Sequence, residues 1–259
     1  IDLINFNIKL FNKIHTPRNN IKIYMLLTNF KKTININKSK QLIGDNINTG
    51  YTQSFSDSNE DYIVLYRAEE IKKVLVHELI HLYNFHLFRN PNSNEINNLI
   101  KSTNKRFSIF EAYTESFATI IYTYYYSKIN NEDFNKLLNK QLLFSFIQSA
   151  KLLYNQKIYN IHDINNKIIE EDTNAVGYYI LKCSILNNLN LYKNIFNENE
   201  GVSLNSNERV NKFDENLVKS IKNKHFKNNM NKFLLILKNN ELKSITNSLL
   251  RTFRMNLLD

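Results

Sequence analysis

The sequence is poor in residues that build loops and crosslinks: its 259 residues include one cysteine, two prolines, four glycines and no tryptophan. The single cysteine, Cys183, excludes an internal disulfide and any zinc site made of paired cysteines. It lies in the apolar stretch YYILKCSIL, so we interpret it as a buried thiol. So few glycines disfavour a phosphate-binding loop, and the scarcity of helix breakers favours helices. A bound metal must therefore be held by histidines and carboxylates.

Long apolar runs are also missing. No run approaches the roughly 18 apolar residues that a membrane-spanning helix requires, so we expect a soluble protein without a transmembrane segment. The chain begins at Ile1 and not at Met, which fits a processed N-terminus. The compartment and the oligomeric state stay open at this stage.

The net charge of +10 raises the question of nucleic-acid binding. Lysines and arginines are scattered along the chain, and their densest cluster, at 219–232, has the pattern of a solvated helix face. Aromatic residues do not alternate with the basic ones as they do in many nucleic-acid-binding surfaces. Nucleic acid is therefore an unlikely partner.

The early part of the chain has the pattern of a small sheet, within residues 20–70. It is rich in β-branched and aromatic residues that alternate with polar ones, which is typical of half-buried strands. The strands are predicted at 21–30, 31–37 and 61–70, with a further strand around 49–56 and a turn at 56–61.

From residue 68 onwards the apolar spacing becomes helical. Two helices stand out, at 68–87 and 108–127, and Pro91 follows the first of them. Further helices are predicted at 131–154, 174–195, 208–224 and 227–257. We expect an α+β fold that is predominantly α, with a core at 1–196 and a C-terminal helical portion at 197–259 that begins with the loop 197–209.

The first strong helix contains the sequence HELIH, residues 77–81. Residues four apart lie on the same helix face, so His77 and His81 can bind one Zn²⁺. Glu78 is rotated by about 100° from His77. It is placed to take a proton from a zinc-bound water and not to coordinate the metal.

A catalytic zinc needs a third protein ligand, and the second strong helix offers a pair of carboxylates. Glu111 and Glu115 are also four residues apart, and two like charges at this spacing do not stabilise a helix by themselves. A metal and a ligating histidine on the facing helix would explain the pair. We assign Glu111 as the ligand and Glu115 as the acceptor of a ligand histidine's second N–H group. The reverse assignment is the alternative.

These two segments resemble the gluzincin class of zinc metallopeptidases, in which HExxH is followed on a later helix by ExxxD or ExxxE. The resemblance implies a zincin-like fold, one Zn²⁺ ion, and peptide or protein substrates. It favours Glu111 over Glu115 as the ligand. The ExxxE variant followed by Phe is similar to the lethal-factor-like peptidases, and FEAYTESFA more loosely resembles metallopeptidase-like proteins of large DNA viruses.

The resemblance also implies a residue that stabilises the oxyanion, supplied from well after the glutamate ligand. Tyr178 and Tyr179 lie at such a distance, and His162 is a further option. By analogy with the class, the strand at 49–56 would pair with an extended substrate.

His86 is a third histidine near the motif, but it does not fit as a ligand. On a continuous helix it is rotated by about 140° from His81 and about 180° from His77. The metzincin pattern HExxHxxGxxH is also excluded, because Asn84 and Leu87 stand where that class has Gly and His.

The sequence thus predicts a zinc metallopeptidase that hydrolyses peptide bonds with a zinc-bound water activated by Glu78. Two alternatives come from other classes of protein. One is a non-catalytic zinc-binding interaction module on a peptidase scaffold, although an intact Glu78 argues against a purely structural metal. The other is a basic nucleic-acid-binding helical protein, which leaves the paired histidines and carboxylates unexplained.

Overall fold

A computed structural model describes the chain at residues 2–18, 20–34, 41–54, 61–85, 94–104, 108–195, 203–204, 206–239 and 252–258. The fold is α+β and predominantly α, as the sequence predicts. The α-helices are α1 (Asp2–Ile14), α2 (Gly44–Ile47), α3 (Ile71–Leu82), α4 (Asn94–Leu99), α5 (Ile109–Ile129), α6 (Phe134–Asn155), α7 (Lys182–Asn187), α8 (Asn207–Lys222) and α9 (Lys224–Lys238). The strands are β1 (Ile21–Thr28), β2 (Gly50–Ser54), β3 (Asp61–Arg67), β4 (Lys101–Ser102) and β5 (Ile168–Ile169).

The main sheet has the strand order β1-β3-β2, with β3 parallel to β1 and antiparallel to β2. The central strand β3 buries Ile63, Leu65 and Arg67 on one face and leaves the alternate residues partly exposed. This alternation is the pattern of a sheet with one covered face. Helix α3 packs against β2 and β3 and also against α5. Helix α3 therefore lies between the sheet and α5.

Several predicted elements are confirmed and others are wrong. The strands at 21–30 and 61–70 and the helix at 108–127 are present, each within a few residues. The predicted strand at 31–37 is wrong for its described part, where Thr33 forms only an isolated bridge with Thr252. Residues 35–37 lie outside the described part of the chain. So do most of the predicted turn at 56–61, His86 and Pro91.

The C-terminal half also departs from its predicted helices. The segment predicted as one helix at 174–195 is a π-helical turn (Val176–Leu181), the short α7 and a 3-10 helix (Leu189–Tyr192). A further 3-10 helix spans Ile161–Asn166. The helix predicted at 227–257 ends at Lys238, and the described residues 252–258 run without helix. Most of the predicted loop 197–209 lies outside the described residues.

Helices α8 and α9 share a core with the rest of the chain. The Phe213 ring on α8 packs 5.8 Å from Tyr113 of α5, and Phe226 on α9 packs 5.7 Å from Phe146 of α6. The amide of Leu204, just before α8, donates to Phe85 O at 2.6 Å. Helices α8 and α9 therefore pack on α5 and α6.

Candidate metal centre

The HELIH segment lies on α3, deep between the sheet and α5. Its helix begins after Glu70, whose φ of 63° places it in the left-handed region. The apolar residues around the motif fall on several sides of the helix and are buried, which surrounds the motif with protein. Only 7% of His77 and 6% of Glu78 remain exposed. Polar groups buried this far are costly unless they have partners.

Three potential ligand atoms converge where α3 faces α5. The Nε2 atoms of His77 and His81 are 3.0 Å apart, and Glu111 Oε2 lies 3.4 Å from the first and 3.3 Å from the second. One ligand atom from each residue lies within 4.8 Å of the others. Glu111 Oε2 is buried and makes no hydrogen bond. A buried carboxylate oxygen of this kind fits a ligand to a metal ion.

The second glutamate of the pair contacts the far side of one imidazole. Glu115 Oε2 lies 3.0 Å from His77 Nδ1. Because an ionised carboxylate only accepts hydrogen bonds, Nδ1 donates, and Nε2 is the nitrogen that can bind a metal once it carries no proton. Nε2 faces Glu111 and His81. This geometry is that of a carboxylate orienting a ligand histidine.

Electrostatics of the cluster favour an added positive charge. Burial disfavours the imidazolium form of His77, but the neighbouring carboxylates of Glu111 and Glu115 outweigh burial and raise its pKa to about 9. Burial also opposes ionisation of Glu111, yet the neighbouring histidines hold the pKa of this carboxyl well below its usual range. Two ionised carboxylates therefore draw positive charge to the histidines, and a divalent metal ion would meet the same demand.

Glu78 is held from the neighbouring strand. Thr52 Oγ1, on β2, lies 2.8 Å from Glu78 Oε2 and 2.9 Å from Glu78 O, so its hydroxyl can donate to either oxygen. A small cavity of about 30 Å³ lies against Glu78, His77 and Tyr178, and it is large enough for a water molecule. The carboxylate of Glu78 is thus fixed beside the cluster without belonging to it.

The two candidate tyrosines have different surroundings. Tyr178 packs against the imidazole of His77, with ring centroids 5.9 Å apart. Burial, together with the nearby carboxylate of Glu111, raises the pKa of Tyr178 well above its usual value, so the phenol stays protonated. Tyr179 instead stacks on Phe253 and donates its hydroxyl to Phe253 O at 2.6 Å. The structure therefore brings Tyr178 to the cluster and corrects the assignment of Tyr179.

The remaining candidate for the oxyanion-stabilising residue, His162, lies away from the cluster. His162 is exposed on a 3-10 helix that packs against α4 and α9. Three residues that the sequence patterns did not indicate contact side chains beside the cluster: Thr52 contacts Glu78, and Lys73 and Lys182 contact Glu115. A signal was present for Lys182, which is the single cation of the apolar stretch YYILKCSIL.

Comparisons with known proteins do not assign a function to this chain. No family model and no solved structure matches the chain. An uncharacterised protein of Acanthamoeba polyphaga mimivirus is 28% identical over 166 residues, which make up 58% of this chain and 41% of that protein. The chain thus spans about two fifths of the length of this relative. Because the relative is uncharacterised, the functional argument depends on the site itself.

Among the described residues, no helix is long and apolar enough to cross a membrane.

Proposed function

We propose that the protein is a zinc-dependent metallopeptidase with a gluzincin-type site. The observation that supports it most is the convergence of His77, His81 and Glu111, with a buried Glu111 oxygen that makes no hydrogen bond. Two imidazoles and one carboxylate are a ligand set of catalytic zinc sites, which keep a further position for water or substrate. Zn²⁺ held there would act as a Lewis acid towards water and the peptide carbonyl.

Glu78 is the proposed general base. Thr52 contacts Glu78 Oε2, so we assign proton transfer to Oε1 of the same carboxylate. This oxygen would accept the proton of the attacking water and then deliver it to the amine of the leaving peptide. The carboxylate needs no direct contact with the metal for this role, which agrees with its place beside the three ligands.

Tyr178 is the proposed oxyanion-stabilising residue. Its phenol remains protonated, so it can donate a hydrogen bond to the oxygen that becomes negative when the carbonyl is attacked. Its ring packs against His77, which holds it beside the ligand cluster.

Strand β2 is the proposed binding edge for an extended substrate. It lies at one side of the main sheet, and in the described part of the chain it pairs only with β3. Thr52 of this strand contacts Glu78, so a peptide that added to its outer side would lie close to the base. An edge strand beside the proposed base favours a peptide substrate over a small ester or amide.

The test compares wild type with Glu78→Gln for zinc content and for hydrolysis of a mixed peptide library. We expect about one zinc per chain in both proteins, and a rate lower by roughly 10²- to 10⁴-fold in the variant. Glu132→Gln, on an exposed residue after α5, is the matched control and should cleave at the wild-type rate. Wild type that binds zinc but cleaves no peptide would favour the non-catalytic module instead.

A further inference from the structure

Two buried lysines meet the carboxylate that orients His77. Lys73 Nζ and Lys182 Nζ both contact Glu115 Oε1, the second at 3.3 Å, while Oε2 faces His77. Only 1% of each lysine is exposed. The two oxygens of Glu115 are thus divided between the lysines and the imidazole.

The two lysines come from different elements and approach from different directions. Lys73 lies on α3, one turn before His77. Lys182 is the first residue of α7, after the π-helical turn, and it also donates to Met255 O at 2.7 Å. The two lysines hold Glu115 Oε1 from two helices, while His77 contacts Oε2. With one lysine removed, Oε1 would keep only one of these two contacts.

The two lysines are more than Glu115 by itself requires for charge balance. One lysine would neutralise Glu115, and burying a second ammonium group is costly unless it is well paired. By simple electrostatics, an extra cation close to the ligands weakens the binding of a metal cation. Removing a lysine should then strengthen zinc binding if the lysines act only through charge.

We propose that Lys73 and Lys182 are positioning residues, which hold Glu115 so that it orients His77 towards the metal. This inference depends on the proposed function, because it assumes that His77 binds zinc. Loss of either lysine should then weaken zinc binding, whereas an effect through charge alone would strengthen it.

The experiment measures zinc affinity by chelator competition, and the visible spectrum of the Co²⁺-loaded protein, for wild type, Lys73→Met and Lys182→Met. Lys32→Met is the matched control, since Lys32 is equally buried but pairs with Glu70 at 2.7 Å. We expect Kd to rise about 10- to 100-fold in the first two variants, with altered Co²⁺ bands. The control should stay near wild type, and Lys73→Arg should recover most of the affinity.

The outcomes separate this inference from the proposed function. Wild type that binds no zinc would remove both. Wild-type zinc binding with unchanged or tighter binding in both lysine variants would overturn the positioning role alone. Failure of both variants to fold with zinc present, while Lys32→Met folds, would make the lysines structural and also overturn it.

Discussion

The interface between α3 and α5 and the pair formed by α8 and α9 are both packed helix contacts, but they bury different chemistry. At the first interface His77, Glu78 and Glu115 are each at most 7% exposed. The C-terminal pair buries apolar and small neutral side chains, and its charges stay at the surface. The ion pair between Lys222 and Glu95, for example, has side chains that are 50% and 59% exposed.

This difference shows where the fold buries charged side chains at a cost in free energy. An amphipathic helix pair gains stability from apolar contact alone and has no need for interior charge. Charged groups inside a protein are retained where they have partners or a chemical role. The α3–α5 interface therefore has the buried charges that we expect of a functional site, and the α8–α9 pair has ordinary packing.

The largest expected effect concerns the two glutamates of α5. Glu111→Ala should weaken zinc binding by more than about 1,000-fold, because it removes a direct ligand. Glu115→Ala should weaken it by about 10- to 100-fold, because it removes only the partner of His77 Nδ1. Chelator competition on both variants measures the difference. Equal and small losses would contradict the ligand assignment.

A core substitution in α8 should separate stability from metal binding. Leu217 is fully buried, so Leu217→Ala should lower the free energy of unfolding by about 2–5 kcal/mol. Zinc affinity of the folded variant should stay unchanged, because α8 contributes no group to the cluster. Denaturant unfolding and zinc titration on the same sample check both expectations. A parallel loss of zinc affinity would show that the two regions are coupled.

A buried carboxyl outside the site should give stability a pH dependence. Burial raises the pKa of Glu171 to about 7, although Ser102 Oγ donates to it at 2.6 Å. Since the unfolded chain ionises this group first, its contribution to stability is present at low pH and is lost as pH rises towards 7. Glu171→Gln should reduce the loss of stability between about pH 5 and pH 7 by about 2 kcal/mol.

Urea unfolding over this pH range measures the effect of that substitution. Glu170→Gln, on the exposed neighbour, is the control and should keep the wild-type dependence. Identical curves for the Glu171 variant and wild type would show that this carboxyl ionises normally.

The smallest expected effect lies on the surface of α8. Lys222→Ala breaks an exposed ion pair and should change the free energy of unfolding by less than about 0.5 kcal/mol. Thermal unfolding at low and high salt measures it. A loss above about 1 kcal/mol would show that this pair is not the ordinary surface contact described here.

Local patterns indicated which residues lie together at the candidate site, because its main parts repeat at helical spacing. The pairs at 77 and 81 and at 111 and 115 each lie within one helix, so residues four apart had to share a face. The choice between Tyr178 and Tyr179 could not be made in this way. Neighbouring residues on a helical turn point about 100° apart, and only the packing of that turn decides which one reaches the cluster.

Contacts between residues far apart in the chain could not be predicted from local sequence patterns. Lys182 meets Glu115 across 67 positions of the chain. The sequence pattern at the end of the chain predicts a helix. In the structure, however, Phe253 N donates to Lys32 O, and the Tyr179 hydroxyl donates to Phe253 O. These tertiary hydrogen bonds hold residues 252–258 against the core and outweigh the local preference for helix. Periodicity carries no information about such partners.

The most direct test of the central claim is a crystal of the zinc-loaded protein measured on both sides of the zinc absorption edge. The account predicts one strong anomalous peak in contact with His77 Nε2, His81 Nε2 and Glu111, with Glu115 bonded to His77 Nδ1 and Glu78 outside the coordination sphere. A peak elsewhere, or none at this cluster, would contradict it.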